Sequence, residues 1–166
     1  MSKPKVVFLD FDGVLTSARV HAAHGDGAPW KTFDPVTLNF FKRQMNVEFV
    51  ISSTWRLHFD FRGITHIFGS TGWDIPLHQI WCTPHPSKVG ITDRNKDYGS
   101  RAREIMAWID EHLGDRDFVV VDDAVGPWPD HWKVVQTDPT EGMLWQHYDT
   151  FNALLRKGRN FTTNVR

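Results

Sequence analysis

Four acidic residues fall in two tight groups. Asp10 and Asp12 flank a phenylalanine in Leu-Asp-Phe-Asp-Gly, and Asp122 and Asp123 adjoin in Val-Val-Val-Asp-Asp-Ala. Between them the chain supplies Ser52-Ser53 and Arg101. These types together suit phosphoryl transfer to a protein carboxylate. Such chemistry needs a carboxylate held in line with phosphorus and a cation to offset its repulsion of the phosphate. Asp10 with Asp122 and Asp123 can share one Mg²⁺, while the backbone carbonyl of Asp12 offers a further oxygen. Waters and a phosphate oxygen would complete the near-octahedral shell that this ion demands. The Asp12 carboxyl, two residues on, is displaced enough to act as an acid on the leaving oxygen. Gly13 allows the backbone to turn sharply and approach a ligand. Ser52 or Ser53 can donate to a phosphate oxygen. Arg101, opening a helix, can neutralise the phosphate and brace Asp10.

The elements that would position these groups are short and mostly apolar. Lys5 to Leu9 reads as a buried strand that stops at Asp10, and Val47 to Ile51 as a second that stops at Ser52. Phe118 to Val121 is another, ending at Asp122, and Lys133 to Gln136 forms the last; a strand over Gln79 to Thr83 precedes the Pro84/Pro86 break. Asp34-Pro35 gives an N-cap and a first-turn proline to a helix through Gln44. A helical stretch is expected near 57–68, another from Ser100 to Leu113 ended by Gly114, and a last one from Met143 to Arg156. Residues 16–33 and 84–99 read as loops. Strands alternating with helices indicate an α/β fold, a three-layer Rossmann-like parallel sheet covered on both faces. In such sheets a ligand sits outside the carboxyl ends of the strands, where the acids, serines and arginine converge. No repeat or linker interrupts the pattern, so residues 1–166 are expected to form one domain.

Composition excludes several classes. At 166 residues the chain can bury a core without staples. The single cysteine, Cys82, excludes an internal disulfide framework and cysteine-cluster zinc sites. No apolar run approaches the length of a membrane span, and the N-terminus does not read as a signal peptide, so a cytoplasmic location is expected. A net charge of −1 advertises no broad nucleic-acid face, although the tail carries Arg156, Lys157, Arg159 and Arg166 without an acid. Eight tryptophans and twelve phenylalanines point mainly to an aromatic core, with a stacking platform as the sharper possibility.

A DxDG, an Asp-Asp or a serine pair alone is a common loop sequence; their order and strand-end placement carry the reading. They resemble the four motifs of the haloacid dehalogenase (HAD) superfamily. VVFLDFDGVLTS is similar to the first motif, FVISSTWR to the second and VVVDDA to the fourth. The third, a basic residue, fits Arg101 in RAREIMAWI, with Lys88 and Lys96 as rivals. SSTWR, RxxEIxxW, VVVDDA and EGML more narrowly resemble small HAD domains associated with RNA-repair proteins. The resemblance implies Asp10 as nucleophile, Asp12 as general acid/base, Ser52 (or Ser53) as the phosphate-binding serine, and Asp122 as a metal ligand with Asp123 beside it. It also implies a phosphoaspartate route to phosphomonoester hydrolysis with Mg²⁺.

HAD enzymes usually select substrates with cap insertions, and neither gap here has room for a sizeable one. An open, capless or minimally capped site suits a bulky phosphate ester: a nucleotide, a nucleic-acid end or a phosphoprotein. The walls would come from His21, His24, Trp30 and Lys31 on one loop and His85, Lys88, Arg94 and Lys96 on the other. Competing readings are a phosphate-binding or regulatory module without turnover and a receiver-like switch. Retention of both Asp10 and Asp12 disfavours the first. The late Asp-Asp reverses the arrangement expected of the second.

Overall fold

The computed structural model describes residues 3–24, 33–92 and 99–157. Its centre is a parallel sheet of five strands, β1 (Lys5–Leu9), β2 (Val47–Ile51), β3 (Leu77–Cys82), β4 (Phe118–Asp122) and β5 (Val134–Gln136), in the order β3-β2-β1-β4-β5. The helices are α1 (Ala18–His24), α2 (Pro35–Lys42), α3 (Phe61–Ser70), α4 (Ser100–Trp108) and α5 (Trp145–Arg156). This is the α/β Rossmann-like architecture expected from the alternation of elements.

Side-chain alternation along the central strands divides the core in two. Val7, Leu9, Phe49, Ile51, Val119 and Val121 pack with Leu38 and Phe41 of α2, Ile64 and Phe68 of α3, and Phe151 of α5. Val6, Phe8, Val50, Phe118 and Val120 face the other way, onto Ala102, Ile105 and Trp108 of α4. With both faces covered, the buried stretches of the central strands are apolar on both sides, which is why Val6–Leu9, Phe49–Ile51 and Phe118–Val121 read as unbroken Val/Ile/Leu/Phe runs. Most of the unusual aromatic content is consumed here. Phe11 meets Phe33, Trp55 and Phe68 edge-on, and Phe41, Phe49, Trp73 and Phe151 form a second cluster of rings.

Several boundaries differ from the sequence-based expectation. Residues 18–24 are helical rather than loop; ARVHAAH lacks the apolar stripe that marks a packed helix. The expected 57–68 helix is split into a 3₁₀ turn, Thr54–Leu57, capped by Ser53, and α3, capped by Asp60. β3 starts at Leu77, earlier than expected, and pairs irregularly with β2. The 84–99 stretch contains a 3₁₀ turn, Pro86–Val89. α4 is capped by Gly99 with φ 85°, not by Ser100, and passes after Trp108 into a π-helical turn, Ile109–Leu113. Among the described residues no helix is long and apolar enough to cross a membrane.

Candidate active site

Strand register fixes the first row of the site. Leu9 pairs with Ile51 on one side and Val121 on the other, and all three face the α2/α3/α5 layer. One step on, Asp10, Ser52 and Asp122 therefore occupy equivalent positions and face the α4 side. Asp10 is held by its own amide, which donates to the Val121 carbonyl at 3.0 Å. One of its carboxylate oxygens accepts from the Phe11 amide at 2.8 Å. The Ser52 amide donates to Leu9 at 3.0 Å. The acids are buried at these strand ends; Asp122 has no exposed surface.

Arg101 enters from the first turn of α4. Its Nη2 donates to Asp10 Oδ2 at 3.3 Å, its Nε lies 3.0 Å from Asp122 Oδ2, and its Nη1 lies 3.6 Å from Glu104 Oε2 one turn along the helix. Burial works against the guanidinium charge, but Asp10, Asp122, Glu104 and Asp123 more than offset it and raise the group above its ordinary range. Asp10, Asp122 and Asp123 each place a carboxylate oxygen within 4.8 Å of the others. Three carboxylates therefore face one guanidinium that already shares its charge with Glu104. The imbalance shows in the acids: burial first, then the Asp10 charge, pushes Asp122 up to about 8 and Asp123 up to about 6.

This donor set fits a divalent cation. It is all oxygen and acid-rich, and buried Asp122 Oδ2 has the Arg101 ion pair but no hydrogen bond among the described residues. Asp10, Asp122 and Asp123 are the side chains that could hold Mg²⁺. The Asp12 carboxylate stands apart from that group: its Oδ2 accepts from the Trp55 indole N–H at 3.0 Å. Asp12 is also raised from its ordinary value, by burial chiefly, against the Trp55 hydrogen bond and with help from Asp10.

The family comparison agrees with this geometry. Residues 6–148 match the model of the HAD domain in Swiss Army Knife RNA repair proteins. The chain belongs to this HAD family. No curated protein and no solved structure gives a significant match. A phosphatase-like hydrolase function of the HAD type goes with the membership.

Within this HAD domain the two serines separate cleanly. Ser53 Oγ accepts from the Trp55 amide and so caps the 3₁₀ turn. Ser52 Oγ is buried and has no partner among the described residues. Arg101, not Lys88, reaches the aspartates; Lys88 is exposed on the Pro86–Val89 turn and lines a groove with Cys82, Trp108 and Glu111. Lys96 and Arg94 lie outside the described residues, as do Trp30, Lys31 and the side chain of His24. His21 Nε2 is 3.1 Å from the Thr16 hydroxyl, and its field favours the Asp12 anion. His85 is occupied as the cap of its own turn, bonded to Ser87. Gly13 does make a close approach, but to Asp123.

Four further residues of the HAD domain escaped sequence reasoning. Arg56 Nη2 donates to Glu104 Oε2 at 2.7 Å in a fully buried pair, and the same guanidinium binds the carbonyls of Ser52, Ser53, Thr83 and Pro84. It ties the ends of β2 and β3 to α4. Trp55 holds Asp12. Both lie in the SSTWR segment and Glu104 lies in RxxE, so the signal was present as residue type; only the pairing was invisible. Thr137 Oγ1 donates to the Gly13 carbonyl at 2.6 Å and pins the turn after β1.

Proposed function

We propose that this HAD domain is a Mg²⁺-dependent phosphomonoester hydrolase that works through a phosphoaspartate on Asp10. The observation that carries the reading is the convergence of Asp10, Asp122 and Asp123 within 4.8 Å around the guanidinium of Arg101 at the strand ends. Bound Mg²⁺, held by these acids, would offset the repulsion between a carboxylate and a phosphate dianion. Asp10 attacks phosphorus and the ester P–O bond breaks. Asp12, raised toward its protonated form, gives its proton to the departing oxygen. Asp12, now a base, then takes a proton from the water that hydrolyses the acyl phosphate. Trp55 keeps the Asp12 carboxylate in place through both steps. Ser52 donates to a phosphate oxygen, and Arg101 neutralises the phosphate while orienting Asp10.

The favoured substrate is a terminal phosphate on a nucleotide or a nucleic acid. The family description places related domains in RNA repair proteins, which supports that class. An open, largely apolar cleft of about 450 Å³ supports it too; Ala102, Arg103, Met106, Pro127 and Trp128 line it, beside the turns that carry Arg101 and Asp123. It joins an aromatic face to a cation, which is what a base next to a phosphate needs. One domain over residues 1–166 and a cytoplasmic setting fit this role.

The test is phosphate release by purified protein from an aryl phosphate, mononucleotides, 3′- and 5′-phosphorylated oligonucleotides and a phosphopeptide, with and without EDTA. Release should require Mg²⁺ and fall to the EDTA blank in Asp10→Asn, with a nucleotide or oligonucleotide as best substrate. Wild-type rates in Asp10→Asn would remove the nucleophile. A phosphopeptide as best substrate would redirect the reading to phosphoproteins.

A further inference from the structure

The row formed by Asp10, Ser52 and Asp122 continues onto β3. Cys82 pairs with Ile51, so the next residue, Thr83, takes the position beside Ser52. Its amide donates to the Ile51 carbonyl at 3.1 Å. Its own carbonyl accepts from Arg56 Nε at 3.0 Å, while Nη1 of the same guanidinium holds the Ser52 carbonyl at 3.1 Å. The two backbones are thus locked together by one buried cation.

The two hydroxyls are not used in the same way. Thr83 is 1 % exposed and Ser52 is fully buried, yet neither Oγ has a partner among the described residues. A buried hydroxyl without a partner is destabilising, and valine or alanine at either place would avoid the cost. Two such groups side by side, at the edge where an anion is expected, point to a ligand oxygen that satisfies both.

We propose that Thr83 is a second hydroxyl ligand for the bound phosphate, paired with Ser52. Neighbouring strands lie about 4.8 Å apart, and O–H···O bonds run about 2.7–2.8 Å. One acceptor between the two hydroxyls can therefore receive both. That acceptor is a phosphate oxygen, or one water that passes the bond to it. Thr83 does not touch the reacting atoms; it binds and orients the group that does. The inference rests on the reading of Ser52 as phosphate-binding.

The experiment measures binding of inorganic phosphate, in Mg²⁺, to the full chain by calorimetry, alongside the melting temperature without phosphate. Thr83→Val keeps the shape and removes the hydroxyl; Thr83→Ser keeps the hydroxyl; Ser52→Ala is the reference. Thr83→Val should weaken phosphate binding about tenfold, with an unliganded melting temperature equal to or above that of the wild type, and Thr83→Ser should bind normally. Normal binding by Thr83→Val with weakened binding by Ser52→Ala would overturn the role of Thr83 alone. Normal binding by Ser52→Ala, or no binding by the wild-type chain, would remove the phosphate site itself. A lower unliganded melting temperature in Thr83→Val would show an internal partner for the hydroxyl and also overturn the proposal.

Discussion

Gly13 holds φ at 74°, and the space left by its missing side chain is filled by the Asp123 carboxylate. A Cβ there would stand 2.2 Å from Asp123 Oδ2 and 2.5 Å from its Cγ. The glycine of DxDG is therefore required twice, once by the backbone conformation and once by the acid from β4. Gly13→Ala should lose about 1–2 kcal/mol from the left-handed backbone alone. It should also displace Asp123 and weaken Mg²⁺ about 10–100-fold, the range typical when the support of a ligand set is disturbed. Denaturant unfolding and a calorimetric Mg²⁺ titration would check both effects. Unchanged Mg²⁺ affinity in a destabilised variant would take Asp123 out of the metal group.

α4 is the element that brings a cation to the row of strand-end acids. Ala102, Ile105 and Trp108 fasten it to the sheet, and that packing leaves Arg101 and Glu104, three residues apart, pointing at the strand ends. Glu104 sits between two guanidiniums, with Arg56 at 2.7 Å and Arg101 at 3.6 Å. Removing one partner of a buried ionic group leaves uncompensated charge. Glu104→Ala should accordingly cost about 3–5 kcal/mol of stability, read from the shift of the denaturation midpoint. A cost near that of an ordinary surface substitution would mean that the Arg56–Glu104 pair is not what holds α4 to the ends of β2 and β3.

The whole molecule separates two charge centres to opposite ends of the sheet. At the amino ends, Lys133 and Lys5 meet Asp117 at 2.6 and 3.2 Å, and both lysines also donate to carbonyls at the end of α5. That centre sets two lysines against one aspartate, and the excess cation braces the carbonyl end of a helix. At the carboxyl ends the acids outnumber the bases, and this makes the metal-free stability pH-dependent. Asp122 and Asp123 bind protons more tightly folded, at about 8 and about 6, than at the ordinary 3.8. The folded state therefore holds more protons between those limits, and their contribution is complete below the ordinary value and lost as pH rises toward about 8. His78 and His147, lowered chiefly by burial, act in the opposite sense at and below the ordinary 6.5. The comparison with Asp122→Asn isolates the acids. Without metal the wild type should lose melting temperature relative to Asp122→Asn as pH rises from 4 to 8, and Mg²⁺ should stabilise the wild type more at pH 8 than at pH 5. Parallel pH curves for the two proteins would contradict the unbalanced cluster.

Much of this was legible in the chain because a parallel sheet covered on both faces demands unbroken apolar strands, and each of the runs VVFL, FVI and FVVV stops abruptly at a polar residue. That punctuation located Asp10, Ser52 and Asp122, and the order of elements implied that they meet at one edge. Spacing could not separate Ser52 from Ser53, since a shift of one residue along a strand reverses the face; the packing of Val50 toward α4 puts Ser52 on that side too, and Ser53 is engaged as a cap. Nor could it prefer Arg101 over Lys88, because reach depends on how a helix lies against a sheet, and that is set by contacts distant in sequence. α1 was missed because a short helix without an apolar stripe leaves no period to read. The chain itself determined which chemical groups arrive at the strand ends; tertiary packing decided which of them touch, because pairs such as Arg101–Asp10 and Arg56–Glu104 join segments whose separation carries no local signal.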